Sequence, residues 1–344
     1  MSNLTVTNAT VVLPDHILEE TTVRIDDGII TAIETGSVSS LTEQETIVDA
    51  DGAYLIPGVV DLHNDNLEFE IHPRANANLP LHFALSTMER RLAGAGVTTE
   101  FHAVSFQNMR GKGRTITDAE HKAEFLAAFD DDDRRAVRHN ILHRLDVRTP
   151  TSIDSALPSL RRVKRAYASL NDHTPGQGQY RDVDRLIKMA AESQAMRNAA
   201  PTEREWYLER MRQGLADTEA VPAYYRHLQD ELVHTPVILS THDDDTIEKV
   251  DAQLALGATI SEFPITFEAA ERARAGGMVI LVGAPNIVRG GSQSGNLSAI
   301  ELAAAGLADA IVADYHAPCL IASAFRLVND GVRDLPAAIA MITR

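Results

Sequence analysis

The stretch Pro57-Gly58-Val59-Val60-Asp61-Leu62-His63-Asn64-Asp65 is an apolar run that ends in a histidine and an aspartate two positions apart. Residues i and i+2 of an extended strand project from the same face, so His63 and Asp65 would aim at one spot. Imidazole and carboxylate together suit zinc, manganese or iron, whereas calcium prefers an all-oxygen shell. Other short apolar runs finish the same way. His102 lies in VTTEFHAV, Asp146 in ILHRLDV (with His143 as its rival by register), and His173 in AYASLNDH. His242 and Asp243 close PVILSTHDD, Glu262 lies in TISEFPI, and Asp314 lies in DAIVADY. A single strand histidine is usually a satisfied core residue. An HxD pair, two more strand-end histidines and a terminal aspartate on one rim argue instead for a shared cation, or for two ions with a bridging carboxylate.

The seventh apolar run, MVILVGAPN, leads into Ile287-Val288-Arg289-Gly290-Gly291-Ser292. Glycines let backbone N–H groups approach an anion, serine adds a donor, and arginine forks onto phosphate oxygens. No Walker lysine is present. Arg289, Gly290, Gly291 and Ser292, with Asn286 before them, are therefore expected to hold phosphate, and Arg74, just past the first run, is a second anchor.

Such groups need a scaffold that brings them together. Eight apolar runs fall at 59–65, 97–104, 141–147, 166–173, 236–244, 259–265, 278–286 and 309–315, separated by amphipathic stretches such as LPLHFALSTMERRLAGAG. That is the arithmetic of a TIM-like (β/α)8 barrel, an α/β fold that places its chemistry at the carboxyl ends of its strands. It would occupy residues 57–344, with a helical insertion at 177–233 that could serve as outer hairpin or lid. Residues 1–56 alternate apolar and polar around Asp27-Gly28, a strong hairpin signal, and predict a small antiparallel, sandwich-like β unit.

The 344 residues carry 32 basic and 49 acidic side chains, a net charge of −17, which disfavours nucleic acid and anionic membranes as partners. An anionic substrate would then need cations gathered locally. No window reaches the length of a membrane span, the start lacks the order of a signal peptide, and the single Cys319 suits a reducing cytoplasm. A cytoplasmic enzyme is the expectation.

The β unit followed by PGVVDLHND, with strand-end ligands closing on Asp314, resembles the amidohydrolase superfamily of metal-dependent TIM-barrel hydrolases. LIPGVVDLHNDNLE, GVTTEFHAVS, NDHTPGQGQY, STHDDDT, SEFPITFEAAERA, GAPNIVRGGSQSGN and ADYHAP resemble, more narrowly, its phosphonate-degradation branch, over nearly the whole chain. The resemblance implies hydrolysis of a phosphorylated small molecule, a sugar triphosphate that loses pyrophosphate and keeps its 5-phosphate. It implies one or two divalent ions, zinc first among them, on His63, Asp65, His173, His242 and Asp314. Asp314 and His242 would be catalytic, and Asn66 follows the HxD pair as in that branch. The usual carbamylated lysine has no counterpart, because Lys164 precedes the fourth run; Asp146 is expected to bridge instead. Superfamily members usually add strands to the β unit beyond the eighth barrel helix, where this chain ends. A homodimer is the superfamily expectation. Hydrolysis of a cyclic amide or aminated ring is the rival activity, and a non-catalytic barrel subunit the rival of another class.

Overall fold

The computed structural model describes residues 3–36, 46–74, 77–108, 115–130, 135–172, 174, 178, 205, 209, 219–292 and 297–344. The N-terminal strands β1 (Leu4–Val12), β2 (Ile17–Asp26) and β3 (Ile29–Thr35) form an antiparallel meander. At its tight turn Asp27 and Gly28 take φ of 50° and 80°, the left-handed pair that a two-residue hairpin demands. The sheet is mixed rather than wholly antiparallel. β4 (Thr46–Asp49) and β5 (Tyr54–Leu55) both pair with β1 in parallel. The chain leaves β3 on one edge of the sheet and re-enters on the free edge of β1 in the same direction, which a crossover permits and a hairpin does not.

The eight expected strands all form, as β6 (Val59–Asn64), β7 (Val97–Phe106), β8 (Arg138–Asp146), β9 (Tyr167–Asn171), β10 (Ile238–His242), β11 (Ile260–Glu262), β12 (Val279–Gly283) and β13 (Ala310–Val312). They pair in sequence order, every neighbour parallel. The sheet closes on itself where β13 meets β6. There Asp314 N–H donates to His63 O (2.9 Å), Asp65 N–H to Asp314 O (2.6 Å), and Ala313 N–H to the Asp61 carboxylate (2.9 Å).

Helices fill the connections: α1 (Asn66–Ile71), α2 (Leu81–Gly94), α3 (Ile116–Asp130), α4 (Ser152–Arg162), α5 (Ala220–Leu232), α6 (Ile247–Ala255), α7 (Phe267–Ala275), α8 (Ala284–Arg289), α9 (Ala299–Ala304), α10 (Cys319–Asn329) and α11 (Leu335–Thr343). Two of the connections share a design. Thr246 lies four residues past His242 and Thr266 four past Glu262, and each caps its helix by accepting an N–H from three residues ahead. Most of the expected insertion at 177–233, including Trp206, lies outside the described residues; α5 forms its end. Among the described residues no helix is long and apolar enough to cross a membrane.

Outward-facing strand residues such as Val104, Phe106, Ile141, Leu145, Leu170, Ile280 and Val282 pack under the helices in one large buried core. Burial of each large one contributes roughly 1.5–3 kcal/mol. Inside the barrel a smaller cluster of Phe101, Ala103, Leu142 and Tyr167, with Leu62 and Ile260 against it, forms an apolar floor. The polar rim layer stands on that floor.

Candidate active site

Strand register assembles the rim. Asp146 pairs laterally with Asn171, Asn171 with His242, and His242 with Glu262, so four polar residues form one layer along β8 to β11. β6 joins that layer through an irregularity. Asp61 pairs with Glu100, but the next pair is Asn64 with His102, three steps on β6 against two on β7. The extra residue makes a bulge, and Leu62 and His63 both turn inward, Leu62 to the floor and His63 to the rim.

His63 is fully buried between two carboxylates. Its Nδ1–H donates to Glu262 Oε2 at 2.8 Å, and its Nε2 lies 3.6 Å from Asp65 Oδ1. Glu262 also accepts from Tyr167 Oη (2.6 Å) and Ser240 Oγ (2.5 Å) at Oε1, and from Ser169 Oγ (3.2 Å) at Oε2. Asp65 receives Arg144 Nη1 on both oxygens (2.7 and 2.8 Å), while Arg144 Nε and Nη2 both reach Asn171 Oδ1 (3.0 and 2.6 Å). The His242 ring lies 5.6 Å from that of His63, and Phe263 meets both edge-on at 5.1 and 5.3 Å.

The backbone is strained where these groups sit. Asp243, Phe263 and Asp314 have φ of 57°, 55° and 58°, left-handed values at non-glycine positions just beyond β10, β11 and β13. Such conformations cost on the order of 1–3 kcal/mol each and persist where the surroundings over-determine them.

Burial opposes the charge on His63, yet Glu262 and Asp65 raise its pKa to about 10. Burial likewise works against Glu262, but His63 and the hydrogen bonds hold it down to about 2. Against burial again, the Arg144 guanidinium and His63 keep Asp65 well below the usual carboxylate range. Asp314 differs: burial lifts it to about 6, only partly countered by His63.

Ligand-capable atoms of His63, Asp65 and Asp314 lie within 4.8 Å of one another, as do those of His63, His242 and Glu262. Nε2 of His63 has no hydrogen-bond partner among the described residues. A buried imidazole nitrogen left open beside two carboxylates is a donor set that fits a divalent cation.

A curated protein of Escherichia coli (strain K12), alpha-D-ribose 1-methylphosphonate 5-triphosphate diphosphatase, is 32% identical over 324 residues, covering 91% of this chain and 83% of that one. The chain belongs to that diphosphatase family. It is a hydrolase. No family model matches it. Among solved structures, a molinate hydrolase superposes with a TM-score of 0.56 at 16% identity, covering 99% of this chain and 83% of that one. A beta-aspartyl dipeptidase from Fervidobacterium islandicum reaches 0.58 at 13%, covering 99% and 85%. At these identities the two show the fold alone.

Within this family member, the structure unites His63, Asp65, His242 and Asp314 of the expected ligands; His173 lies outside the described residues. Asp146 stands in the rim layer, but its Oδ1 accepts the Arg148 N–H at 2.8 Å and forms a turn, and it joins neither ligand grouping found among the described residues. His102 and His143 face outward. His102 meets His139 (Nε2 to Nδ1, 2.8 Å), and His143 is satisfied by Tyr167 O and Ser159 Oγ at 2.9 and 2.8 Å.

The expected phosphate loop is partly a helix. Arg289 ends α8, and Gly290 is its left-handed C-cap at φ 81°. The Gly290 and Gly291 amides both donate to Asn286 O (3.1 and 3.0 Å), so the helix end uses them and they do not face a phosphate. Asn286 Oδ1 accepts Ala299 N–H, tying α8 to α9. Arg289 and Arg74 are exposed and Ser292 is half-buried. Asn66 opens α1, its N–H donating to Asn64 Oδ1 at 2.8 Å. Sequence reasoning passed over Arg144 and Phe263. Arg144 could have been found from alternation, since Leu142, Arg144 and Asp146 share the face opposite Ile141, His143 and Leu145.

Proposed function

We propose that this protein hydrolyses α-D-ribose 1-methylphosphonate 5-triphosphate to the 5-phosphate and pyrophosphate, using one or two divalent ions, zinc first among them. The observation that carries the reading is the open His63 Nε2 beside Asp65 and Asp314 in a chain whose curated relative is named for that reaction. His63, Asp65, His242 and Asp314 would hold the metal, with His173 joining them. A bound divalent ion would lower the pKa of water toward neutrality and draw charge from phosphoryl oxygens.

The rest belongs to the chain. Asp314, which burial lifts to about 6 in the metal-free protein, would serve as the proton acceptor. Water adds its oxygen to phosphorus, its proton passes to the Asp314 carboxylate, and the anhydride bond between the α and β phosphoryl groups breaks to release pyrophosphate. Arg144 balances Asp65 so that the rim is not wholly anionic. Arg289, Ser292 and Arg74 would meet the phosphates from the surrounding loops, which is how an acidic protein could accept a polyanion.

Phosphorus NMR of metal-loaded protein with the ribosyl triphosphate, nucleoside triphosphates and a cyclic amide tests the reading. Pyrophosphate should appear from the ribosyl triphosphate fastest. Its absence from that reaction, with turnover of the amide, would overturn the proposal.

A further inference from the structure

Glu262 belongs to one of the two groupings that could ligate a cation, yet its own bonding argues otherwise. An ionised carboxylate offers about four lone-pair sites. Four donors already point at them, Tyr167 and Ser240 at Oε1 and His63 and Ser169 at Oε2, and the side chain is fully buried. The nitrogen of His63 that faces Glu262 carries a hydrogen, because a carboxylate can only accept. Nε2 is then the one nitrogen of that ring that can bind a cation, and it faces Asp65. The next residue completes the device, since Phe263, held at φ 55°, sets its ring edge-on against both imidazoles.

We propose that Glu262 is a positioning residue and not a metal ligand: locked by Tyr167, Ser169 and Ser240, it fixes the tautomer and the ring plane of His63 so that Nε2 meets the ion. This rests on the metal reading of the site given above, though not on the identity of the substrate. A ligating histidine commonly donates its second nitrogen to a carboxylate, and loss of such a partner weakens metal affinity by about 10–100-fold.

Cadmium-113 substitution with nitrogen-15-labelled histidine gives a readout independent of turnover. The full-length protein should show cadmium coupling to Nε2 of His63. Glu262→Gln should keep that coupling and the same metal stoichiometry while binding cadmium about 10–100-fold more weakly in competition with a chelator. Tyr167→Phe, which removes one donor to Glu262 and leaves its carboxylate in place, should weaken binding by a smaller factor, and it serves if Glu262→Gln fails to fold. Coupling to Nδ1, cadmium uptake without coupling to His63, or unchanged affinity in both variants would overturn the inference. Nε2 coupling in a protein that releases no pyrophosphate would leave it standing and remove the phosphoanhydride reading instead.

Discussion

His143 lies on the outer face of β8, fully buried, and burial pushes its imidazole down to about 4, only partly offset by the Tyr167 carbonyl. In the unfolded chain the same group titrates near 6.5. Between those values the unfolded state binds a proton that the folded state refuses, so acid favours unfolding. The stabilising contribution is complete above the unfolded value and is lost progressively as pH falls toward the folded one. At about 1.36 kcal/mol per pH unit, moving from pH 7.5 to 5.0 should remove about 2 kcal/mol. Other groups titrate in that window, Asp61, Asp244 and Asp314 among them, so the wild-type curve alone is not diagnostic. His143→Gln removes the one titration and leaves the others. Urea denaturation of both proteins at the two pH values should show the wild-type advantage shrinking by about 2 kcal/mol in acid. Metal linkage is common to both chains and cancels in the difference. Parallel curves, with an advantage independent of pH, would falsify the claim that this ring stays neutral in the fold.

Arg144→Met should destabilise the protein by about 3 kcal/mol in urea, because it strands the Asp65 carboxylate, about a quarter exposed, without its guanidinium; an effect below 1 kcal/mol would mean the pair is solvated. At position 263 the usual order of small residues should invert, with Phe263→Gly more stable than Phe263→Ala by about 1 kcal/mol, since only glycine adopts φ 55° freely. Equal stabilities would show that the backbone relaxes out of that region. Asp314→Asn should lower kcat for pyrophosphate release by about 10²–10⁴-fold with much less change in KM, and a small loss would move the proton transfer elsewhere. Chelation should abolish turnover and zinc or manganese should restore it; full activity in chelator would remove the metal from the reaction.

The barrel was legible because each strand is covered by helices on its outer face and must read as an apolar run there. His63 and Asp65 were legible as a histidine and an acid closing an apolar run, although Asp65 lies past β6 as the N-cap of α1. What defeated the sequence was parity. A shift of one residue decides whether a side chain meets the rim or the helices, and an outward histidine with two partners, such as His143, looks the same in print as a ligand. The bulge that turns His63 inward shows in neither composition nor period. Gly290 and Gly291 misled for a different reason, since glycine's freedom serves a helix C-cap as well as a phosphate loop, and only the Asn286 carbonyl decides between them. The parallel strands β4 and β5 depend on which edge of β1 is vacant, a property of the assembled sheet.

The seam that closes the barrel runs through His63, Asp65 and Asp314 themselves. β6 and β13, far apart in the chain, must therefore meet before Asp314 can stand beside His63 and Asp65. That grouping of three side chains is a product of barrel closure, written into neither strand alone.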